Sequence, residues 1–192
     1  DLVRSRGLGD VYKRQALEHV RALPIIAALA VARGLGQVAG LRTALKWPND
    51  VLVGGRKLCG ILLESDLVGQ AVSYVLLGIG VNVNADMSAY PGIAAIATSA
   101  AAEAGRAVSR EALAAAVLNE LEELYLAVQA GQPVQDEWRA RLETLGRQVR
   151  VTCGQTVEEG LAEDVDDDGS LILRRPDGSR VTIAAGDVTL RE

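Results

Sequence analysis

Between residues 41 and 84 the chain carries apolar runs that are separated only by short turns. The segments LRTALKW and DVLVGGRKLCGILLES come first, and Gly54-Gly55 divides the second of them into two strand-length pieces. A glycine pair adopts the positive φ of a two-residue hairpin turn without a steric penalty. A third run, AVSYVLLGIGVNVN, follows Gly69-Gln70. Because consecutive strands joined by short turns pair antiparallel, we predict a β-meander.

A helix is predicted before this meander. The run PIIAALAVARGLG begins at Pro24, which suits the first turn of a helix, and it is apolar on nearly all sides. That pattern is typical of a helix buried against a sheet, and we expect Gly34 and Gly36 to end it. The longest apolar run, residues 23 to 31, is shorter than the twenty or so residues that cross a bilayer, so no membrane partner is expected.

Two more helices are predicted after the meander. Ser109 precedes a segment whose apolar residues recur every three or four positions, and Gly131 lies just past its end. Pro133 begins a shorter amphipathic segment, which Gly146 is expected to end. Helices on one face of a strand meander indicate an α+β fold, with a mixed or antiparallel sheet covered by helices.

The pattern changes after residue 146. Short strands are predicted at RQVRVTC, VEEGLAEDV, SLILRR, RVTIA and DVTLR, with turns at DDDG and PDGS. About 45 residues of closely spaced strands indicate a small β-barrel. We therefore divide the chain into a domain at residues 16–146 and a barrel at residues 147–192. Residues 1–15 have neither helical nor strand periodicity and resemble a junction sequence, so we expect a foreign leader.

Composition excludes several classes of function. The net charge of -5 is spread along the chain, which gives no electrostatic reason to expect nucleic acid as a partner. The two cysteines, Cys59 and Cys153, are too few for a disulfide framework or a zinc cluster, and a reducing cytoplasm is the predicted location. His19 is the sole histidine and lies near the expected leader, so neither a Ser-His-Asp triad nor a histidine-rich metal site is expected.

Polar residues that could bind a ligand or take part in catalysis are concentrated between residues 46 and 60. In KWPND a proline fixes the backbone, and Asn49 and Asp50 then place an amide and a carboxylate in a turn. In RKLCGILLES, Lys57 stands three residues before Gly60, whose missing side chain lets a ligand approach the strand backbone. A cation beside open backbone suits a phosphate or a carboxylate. Trp47, by contrast, is interpreted as a packing residue, and Cys59 as a small buried residue.

GIGVNVN repeats this arrangement on the neighbouring strand. Gly78 and Gly80 clear one face, while Asn82 and Asn84 offer amide donors and acceptors on it. We therefore expect two adjacent strands to form one floor under a ligand.

KWPND, RKLCGILLE and GIGVNVN, in this order and at these separations, resemble the core of bacterial biotin protein ligases. The resemblance extends from about Ala16 to Glu192 and implies a synthetase-like catalytic domain followed by an SH3-like barrel. It implies activation of biotin by ATP with Mg²⁺, to biotinyl-AMP, and transfer of biotin to a lysine of a biotin carboxyl carrier protein. Relatives pair sheet edges as dimers, so a homodimer is possible.

The resemblance also assigns site residues. It implies Lys57 and Asp50 as catalytic residues, with Asp50 near Mg²⁺. The residues that it places at biotin are Lys57, Gly60, Ile61, Leu62, Gly78, Gly80 and Val81. The residues that it places at ATP are Asn49, Asn82 and Arg191.

Two alternatives remain open from the sequence. The family's glycine- and arginine-rich loop for biotin and ATP should precede Ala16, so the chain as written is expected to have little or no activity. A ligase-like module that only binds a ligand or a carrier would have the same sequence features from Ala16 onward as an active ligase. A lipoate ligase would share the architecture, although KWPND followed by a barrel favours biotin. A DNA-binding repressor domain in the parent protein is equally open.

Overall fold

The computed structural model describes residues 17–68 and 71–190. The predicted leader, residues 1–15, and the candidate nucleotide residue Arg191 lie outside the described residues. The helices are α1 (Leu17–Ala39), α2 (Ala100–Ala104), α3 (Arg110–Gln129) and α4 (Gln135–Arg141), with a 3₁₀ turn at Met87–Ala89. The strands are β1 (Ala44–Lys46), β2 (Asp50–Val53), β3 (Arg56–Val68), β4 (Ala71–Val81), β5 (Gln148–Cys153), β6 (Thr156–Val165), β7 (Leu171–Arg174), β8 (Arg180–Ile183) and β9 (Asp187–Leu190).

The first sheet is the predicted meander. Its four strands lie antiparallel in the order β1-β2-β3-β4. Gly54 and Gly55 have φ of 57° and 76°, as the predicted hairpin turn between β2 and β3 requires. The long β3-β4 pair aligns Gly60 with Gly80 and Leu62 with Gly78. The glycines of the two motifs are therefore brought together in one patch of the sheet.

Helix α1 is buried against this sheet, but the prediction of its ends was wrong. Pro24 lies inside the helix, which continues past Gly34 and Gly36 to Ala39. Gly40, with φ of 70°, follows its last residue. Gly34 serves packing instead of termination, because a Cβ there would lie 2.9 Å from a methyl carbon of Val117 in α3. The glycine thus permits close approach of α1 and α3.

Helix α1 is also longer than the apolar run of residues 23 to 31 on which the membrane argument was based. Val20–Ala39 is long and apolar enough to cross a membrane, yet 67% of its window is buried inside the protein. The core helix of a folded domain has the same properties, and the burial of Ile26, Leu29 and Leu35 against the sheet accounts for the apolar surface.

The other predicted helices are confirmed, with one corrected end. Ser109 caps α3 by accepting a hydrogen bond from the backbone N–H of Ala112, and Gly131 follows with φ of 79°. The predicted helix after Pro133 ends at Arg141, five residues before Gly146. Leu142 leaves the helix because its backbone is extended and forms a parallel bridge with Leu45 of β1.

The C-terminal strands form a second antiparallel sheet in the order β8-β7-β6-β5-β9. The five strands predicted after residue 146 are thus confirmed. The placement of the domain boundary at residue 146 stays a prediction. Buried residues of both sheets belong to one continuous hydrophobic cluster. The two sheets meet at a seam formed by Trp47 and Gly169. There the indole N–H of Trp47 donates a 2.9 Å hydrogen bond to the carbonyl of Gly169. The second sheet is therefore packed directly on the turn that precedes β2.

Gly160, in β6, is a position where the second sheet has no space for a side chain. A Cβ there would lie 2.3 Å from the carbonyl oxygen of Arg174 on the neighbouring strand. We expect Gly160→Ala to destabilise the protein by about 3 kcal/mol and to lower Tm by roughly 6–12 °C. Differential scanning calorimetry measures the change. Gly92→Ala is the control, because a Cβ at Gly92 meets nothing within 4 Å; equal Tm values for the two variants would contradict the expectation.

Candidate functional site

One face of the first sheet is open, and glycines form its centre. The opposite face packs on the helices through residues such as Ile61. On the open face, a Cβ at Gly80 would meet only the carbonyl oxygen of Gly60, at 3.7 Å. A Cβ at Gly78 would meet Leu62, with its nearest atom also at 3.7 Å. Since these contacts are ordinary ones, the glycines leave room above the sheet for a ligand.

A cavity of about 230 Å³ lies at the end of this open face. Its walls combine the ends of β3 and β4 with a segment from the loop that follows β4. The lining residues are Lys57, Leu58, Cys59, Gly60, Gly80, Asn82, Ile93, Ile96 and Ala97. One cation, one carboxamide and bare backbone thus face a largely apolar recess, which suits a ligand with an anionic group and a flat apolar part.

Lys57 reaches this face because β3 contains a bulge. Val51 pairs with Cys59, but the next residue of β2, Leu52, pairs with Lys57, so Leu58 has no partner of its own. Side chains alternate along a regular strand, and the extra residue reverses this alternation. Lys57 therefore shares a face with Gly60, and both Leu58 and Cys59 are buried.

The Lys57 ammonium lies against Asp50. Nζ of Lys57 and Oδ1 of Asp50 are 2.5 Å apart, with side-chain exposures of 48% and 16%. The Oδ1 atom is buried, and this ion pair compensates its charge. A Cβ at Gly60 would lie 3.2 Å from Nζ. The glycine thus leaves space for the lysine head group beside the strand.

The turn that precedes Asp50 is fixed by three hydrogen bonds. The backbone N–H of Trp47 donates to Oγ1 of the buried Thr144 at 3.0 Å. The Asn49 side chain donates to the carbonyl of Ile61 at 2.6 Å, and the Ile61 N–H donates to the Asn49 carbonyl at 3.0 Å. Trp47 is 1% exposed, which confirms its interpretation as a packing residue. The structure therefore uses the Asn49 amide to hold the turn on β3 near Asp50.

The two asparagines after β4 differ in their roles. Asn82 lines the cavity, and its side-chain N–H donates to the carbonyl of Thr98 at 3.1 Å. Asn84 donates to and accepts from the backbone of Val108, at 2.8 and 3.0 Å. The sequence predicts both amides on the ligand floor. Asn84 is instead occupied in fixing the segment before α3, and Asn82 alone lines the cavity.

Three residues expected at biotin fall on different faces. Leu62 is on the open face with its side chain 59% exposed. Ile61 is buried, and Val81 packs partly against the hydrophobic core. Because neighbouring residues of a strand point to opposite faces, Ile61 and Val81 can meet a ligand on the open face only through their backbone.

Sequence reasoning missed the loop wall of the cavity. Ile93 and Ile96 come from a segment with no strand or long-helix pattern, and both are exposed. The N–H of Lys57 donates to the carbonyl of Ile96 at 2.8 Å, and the N–H of Thr98 donates to the carbonyl of Lys57 at 2.9 Å. Two isoleucines among small residues were the available signal, but a bridge from this loop to β3 has no local sequence signature.

The described residues contain no group of three or more histidine, cysteine or acidic side chains that could enclose a metal ion. A site built by protein alone is therefore not indicated there. The Asp50 carboxylate, which is ion-paired with Lys57, is nevertheless a suitable single ligand for Mg²⁺. This ion commonly takes one or two carboxylates and completes its shell with phosphate and water. The donor set fits a magnesium ion that arrives with a nucleotide.

Cys59 lies beside the cavity but is protected. Burial raises the pKa of its thiol to about 12; Asp50 adds to this increase, and Lys57 opposes it. At pH 8 about one thiol in ten thousand is then a thiolate, the reactive form. We expect iodoacetamide to alkylate the exposed Cys153 and to spare Cys59. Peptide mass spectrometry measures both sites, with urea-unfolded protein as the control in which both react.

Two family models match the chain. Residues 10–82 match the Biotin/lipoate A/B protein ligase family, and residues 144–191 match the Biotin protein ligase C terminal domain. The first match contains KWPND, the Lys57 motif and the glycines of β4, and the second covers the predicted barrel. The first two motifs, the third as far as Asn82, and the second sheet thus fall within the parts that the family models describe.

Similar proteins carry the same names. The chain is 39% identical over 173 residues to a Biotin--[acetyl-CoA-carboxylase] ligase of Paracoccus denitrificans, covering 85% of this chain and 70% of the relative. Biotin protein ligase from Aquifex aeolicus is 25% identical with a TM-score of 0.75, covering 91% and 76% of the two chains. The Leishmania major enzyme, solved with Biotinyl-5-AMP, is 25% identical with a TM-score of 0.53, covering 88% and 73%.

This chain belongs to the biotin protein ligase family. It spans 70% of the length of the Paracoccus relative and 54% of two further bacterial relatives. The expected α+β domain with a small C-terminal β domain is confirmed by the two antiparallel sheets and by the fold of the Aquifex enzyme. The roles of the individual site residues stay predictions that rest on the geometry above.

Proposed function

We propose that the chain carries the site at which ATP activates biotin for transfer to a lysine of a biotin carboxyl carrier protein. The observation that carries this proposal is the Lys57-Asp50 pair at the edge of a glycine floor, in one cavity with Asn82. The Leishmania relative that was solved with Biotinyl-5-AMP supports an acyl adenylate as the ligand.

The reaction consists of two displacements. A biotin carboxylate oxygen attacks the α-phosphorus of ATP, and the bond to the departing pyrophosphate breaks. The amine of a carrier lysine then attacks the biotinyl carbonyl, loses a proton, and displaces AMP. Negative charge develops on phosphate oxygens in the first step, and the carbonyl oxygen and the departing AMP carry it in the second.

The residues of the cavity match these requirements. The Lys57 ammonium is fixed by Asp50 in a partly dry recess, where a preoriented cation stabilises developing charge more strongly than water does. Gly80 lets biotin approach the sheet, Gly60 leaves space for the Lys57 head group, and the exposed Leu62 offers apolar contact beside them. Asn82 provides a carboxamide for the base. Asp50 would be one ligand of a magnesium ion, which would supply additional charge neutralisation at the phosphates.

Biotin-dependent exchange of radiolabelled pyrophosphate into ATP tests this proposal in the natural full-length protein. We expect exchange with biotin and none without it, and transfer of biotin to a purified carrier domain in a second assay. Exchange that is independent of biotin, or absent, contradicts the proposal. The same assay on the 192-residue chain tests the prediction that this chain alone has little or no activity.

Lipoate is the competing substrate. The family model for residues 10–82 covers biotin and lipoate ligases together, whereas the match at residues 144–191 is specific to biotin protein ligases. The names of the similar proteins also favour biotin. Exchange supported by lipoate in place of biotin would reverse this assignment, and binding of biotin without any exchange would favour the non-catalytic module.

A homodimer is also proposed. Within residues 17–68 and 71–190, β4 has a strand partner on one side only and forms an edge of the first sheet. Tyr74 and Leu76 on that strand are more than half exposed, so a second copy could extend the sheet and cover apolar surface. Sedimentation at micromolar concentration, with and without biotin, tests this assembly; a monomer under both conditions excludes it.

A further inference from the structure

We propose that Thr98 and Glu103 are positioning residues that set the separation between the Lys57 ammonium and the Asn82 amide, so that both engage the same nucleotide. This inference rests on the proposed function, because it assigns a further role at the nucleotide part of that site. Neither residue lines the cavity, so any effect on the ligand must pass through others.

Thr98 contacts both functional strands through its backbone. Its N–H donates to the carbonyl of Lys57 at 2.9 Å, and its carbonyl accepts the Asn82 side-chain N–H at 3.1 Å. A single residue is thus hydrogen-bonded to the end of β3 and to the residue after β4. Two residues away, the carbonyl of Ile96 accepts the Lys57 N–H at 2.8 Å. The segment from Ile96 to Thr98 consequently determines where Lys57 and Asn82 lie relative to each other.

Side-chain contacts hold this segment in place. The hydroxyl of Thr98, in a residue that is 1% exposed, donates to Oε1 of Glu103 at 2.6 Å. The same oxygen accepts a hydrogen bond from Arg56 at 2.7 Å. Arg56 precedes Lys57 in β3, and Glu103 lies in α2, so the carboxylate joins α2 to the strand that carries the cation. Arg56, Thr98 and Glu103 form what we call the Thr98 cluster.

The chemistry of the cluster explains why it resists displacement. A buried hydroxyl hydrogen-bonded to a carboxylate is a charge-assisted contact, which is stronger than a bond between neutral groups. Breaking it leaves a polar group unpaired in the interior, and that loss is unfavourable. The Ile96–Thr98 segment is otherwise a loop without a sheet of its own. The cluster therefore supplies the rigidity that two ligand-facing side chains need in order to act on one molecule.

Thr98→Val, measured in the natural full-length protein, tests the proposal because it preserves shape and removes only the hydroxyl. We expect KM for ATP in biotinyl-AMP formation to rise roughly tenfold, while KM for biotin stays within about twofold of wild type. Thr98→Ser keeps the hydroxyl and should restore a near-normal KM for ATP. Ser99→Ala, at the adjacent buried hydroxyl that caps α2, is the matched control and should leave both KM values near those of wild type.

Several results overturn the proposal. Thr98→Val could leave KM for ATP unchanged or raise both KM values equally, and Thr98→Ser or Ser99→Ala could raise KM for ATP as much as Thr98→Val does. Hydrogen exchange of the Lys57 amide, measured without ligand, is an independent readout. We expect faster exchange in Thr98→Val than in Ser99→Ala, and equal exchange overturns the positioning role. A wild-type protein without biotin-dependent activity overturns the proposed function instead.

Discussion

Replacing Gly80 by valine is expected to weaken biotin binding strongly while the protein stays folded. A Cβ at this position meets only the Gly60 carbonyl oxygen, at an ordinary 3.7 Å, and valine is favourable in a strand. The added methyl groups instead project into the cavity above the floor. Overfilling a fitted site costs about 1–3 kcal/mol, so we expect the Kd for biotin to rise roughly tenfold to hundredfold. Isothermal titration calorimetry measures this change.

Tyr74→Val provides the matched control for that experiment. Tyr74 lies on the same strand, is exposed, and is absent from the cavity lining. The control protein should bind biotin as wild type does, and thermal denaturation should give similar Tm values for the two variants and wild type. Normal biotin affinity in Gly80→Val would show that the ligand does not lie on the glycine floor.

Lys57→Ala is expected to reduce formation of biotinyl-AMP by roughly a hundredfold or more, the usual effect of removing one preoriented charge from a transition state. The side chain is 48% exposed, so its packing contributes little to stability. The variant leaves the buried Asp50 carboxylate without its ion pair, and some decrease in Tm is therefore expected. Single-turnover measurement of biotinyl-AMP in the natural full-length protein isolates the chemical step.

A second substitution separates charge from stability in this experiment. Lys57→Ala together with Asp50→Asn removes the unpaired carboxylate, and we expect Tm to recover without recovery of adenylation. Arg150→Ala, which removes an exposed cation from the barrel surface, controls for a general change of charge. Near-normal adenylation by Lys57→Ala would exclude this lysine from the mechanism.

Much of the fold follows from local patterns. Gly54 and Gly55 determine the hairpin, Ser109 and Gly131 delimit α3, and the DDDG and PDGS turns separate strands of the barrel. Each of these features depends on residues that are adjacent in sequence, and backbone geometry or capping explains each one. The incorrect helix ends have the opposite origin. Gly34 is placed by contact with Val117 of another helix, which no local pattern reveals.

The same distinction applies to the site. The three motifs were sufficient to gather Lys57, Gly60 and Gly80 around one cavity. They could not show the bulge at Leu58, although the bulge is what turns Lys57 toward the open face. Strict alternation along β3 would have placed Lys57 on the core face with Ile61. Nor could they show Ile93 and Ile96 as a wall, because that contact depends on a bridge between distant parts of the chain.

The seam at Trp47 affects how future mutants should be interpreted. Its indole is hydrogen-bonded to the second sheet, its backbone to Thr144, and Asp50 follows three residues later. A substitution in the β6-β7 turn near Gly169 can thus displace Asp50, the proposed catalytic carboxylate, without contacting it. Loss of activity in such a variant therefore does not by itself place the altered residue at the substrate. A crystal structure or a fluorescence spectrum of the unliganded variant should first show that the environment of Trp47 is unchanged.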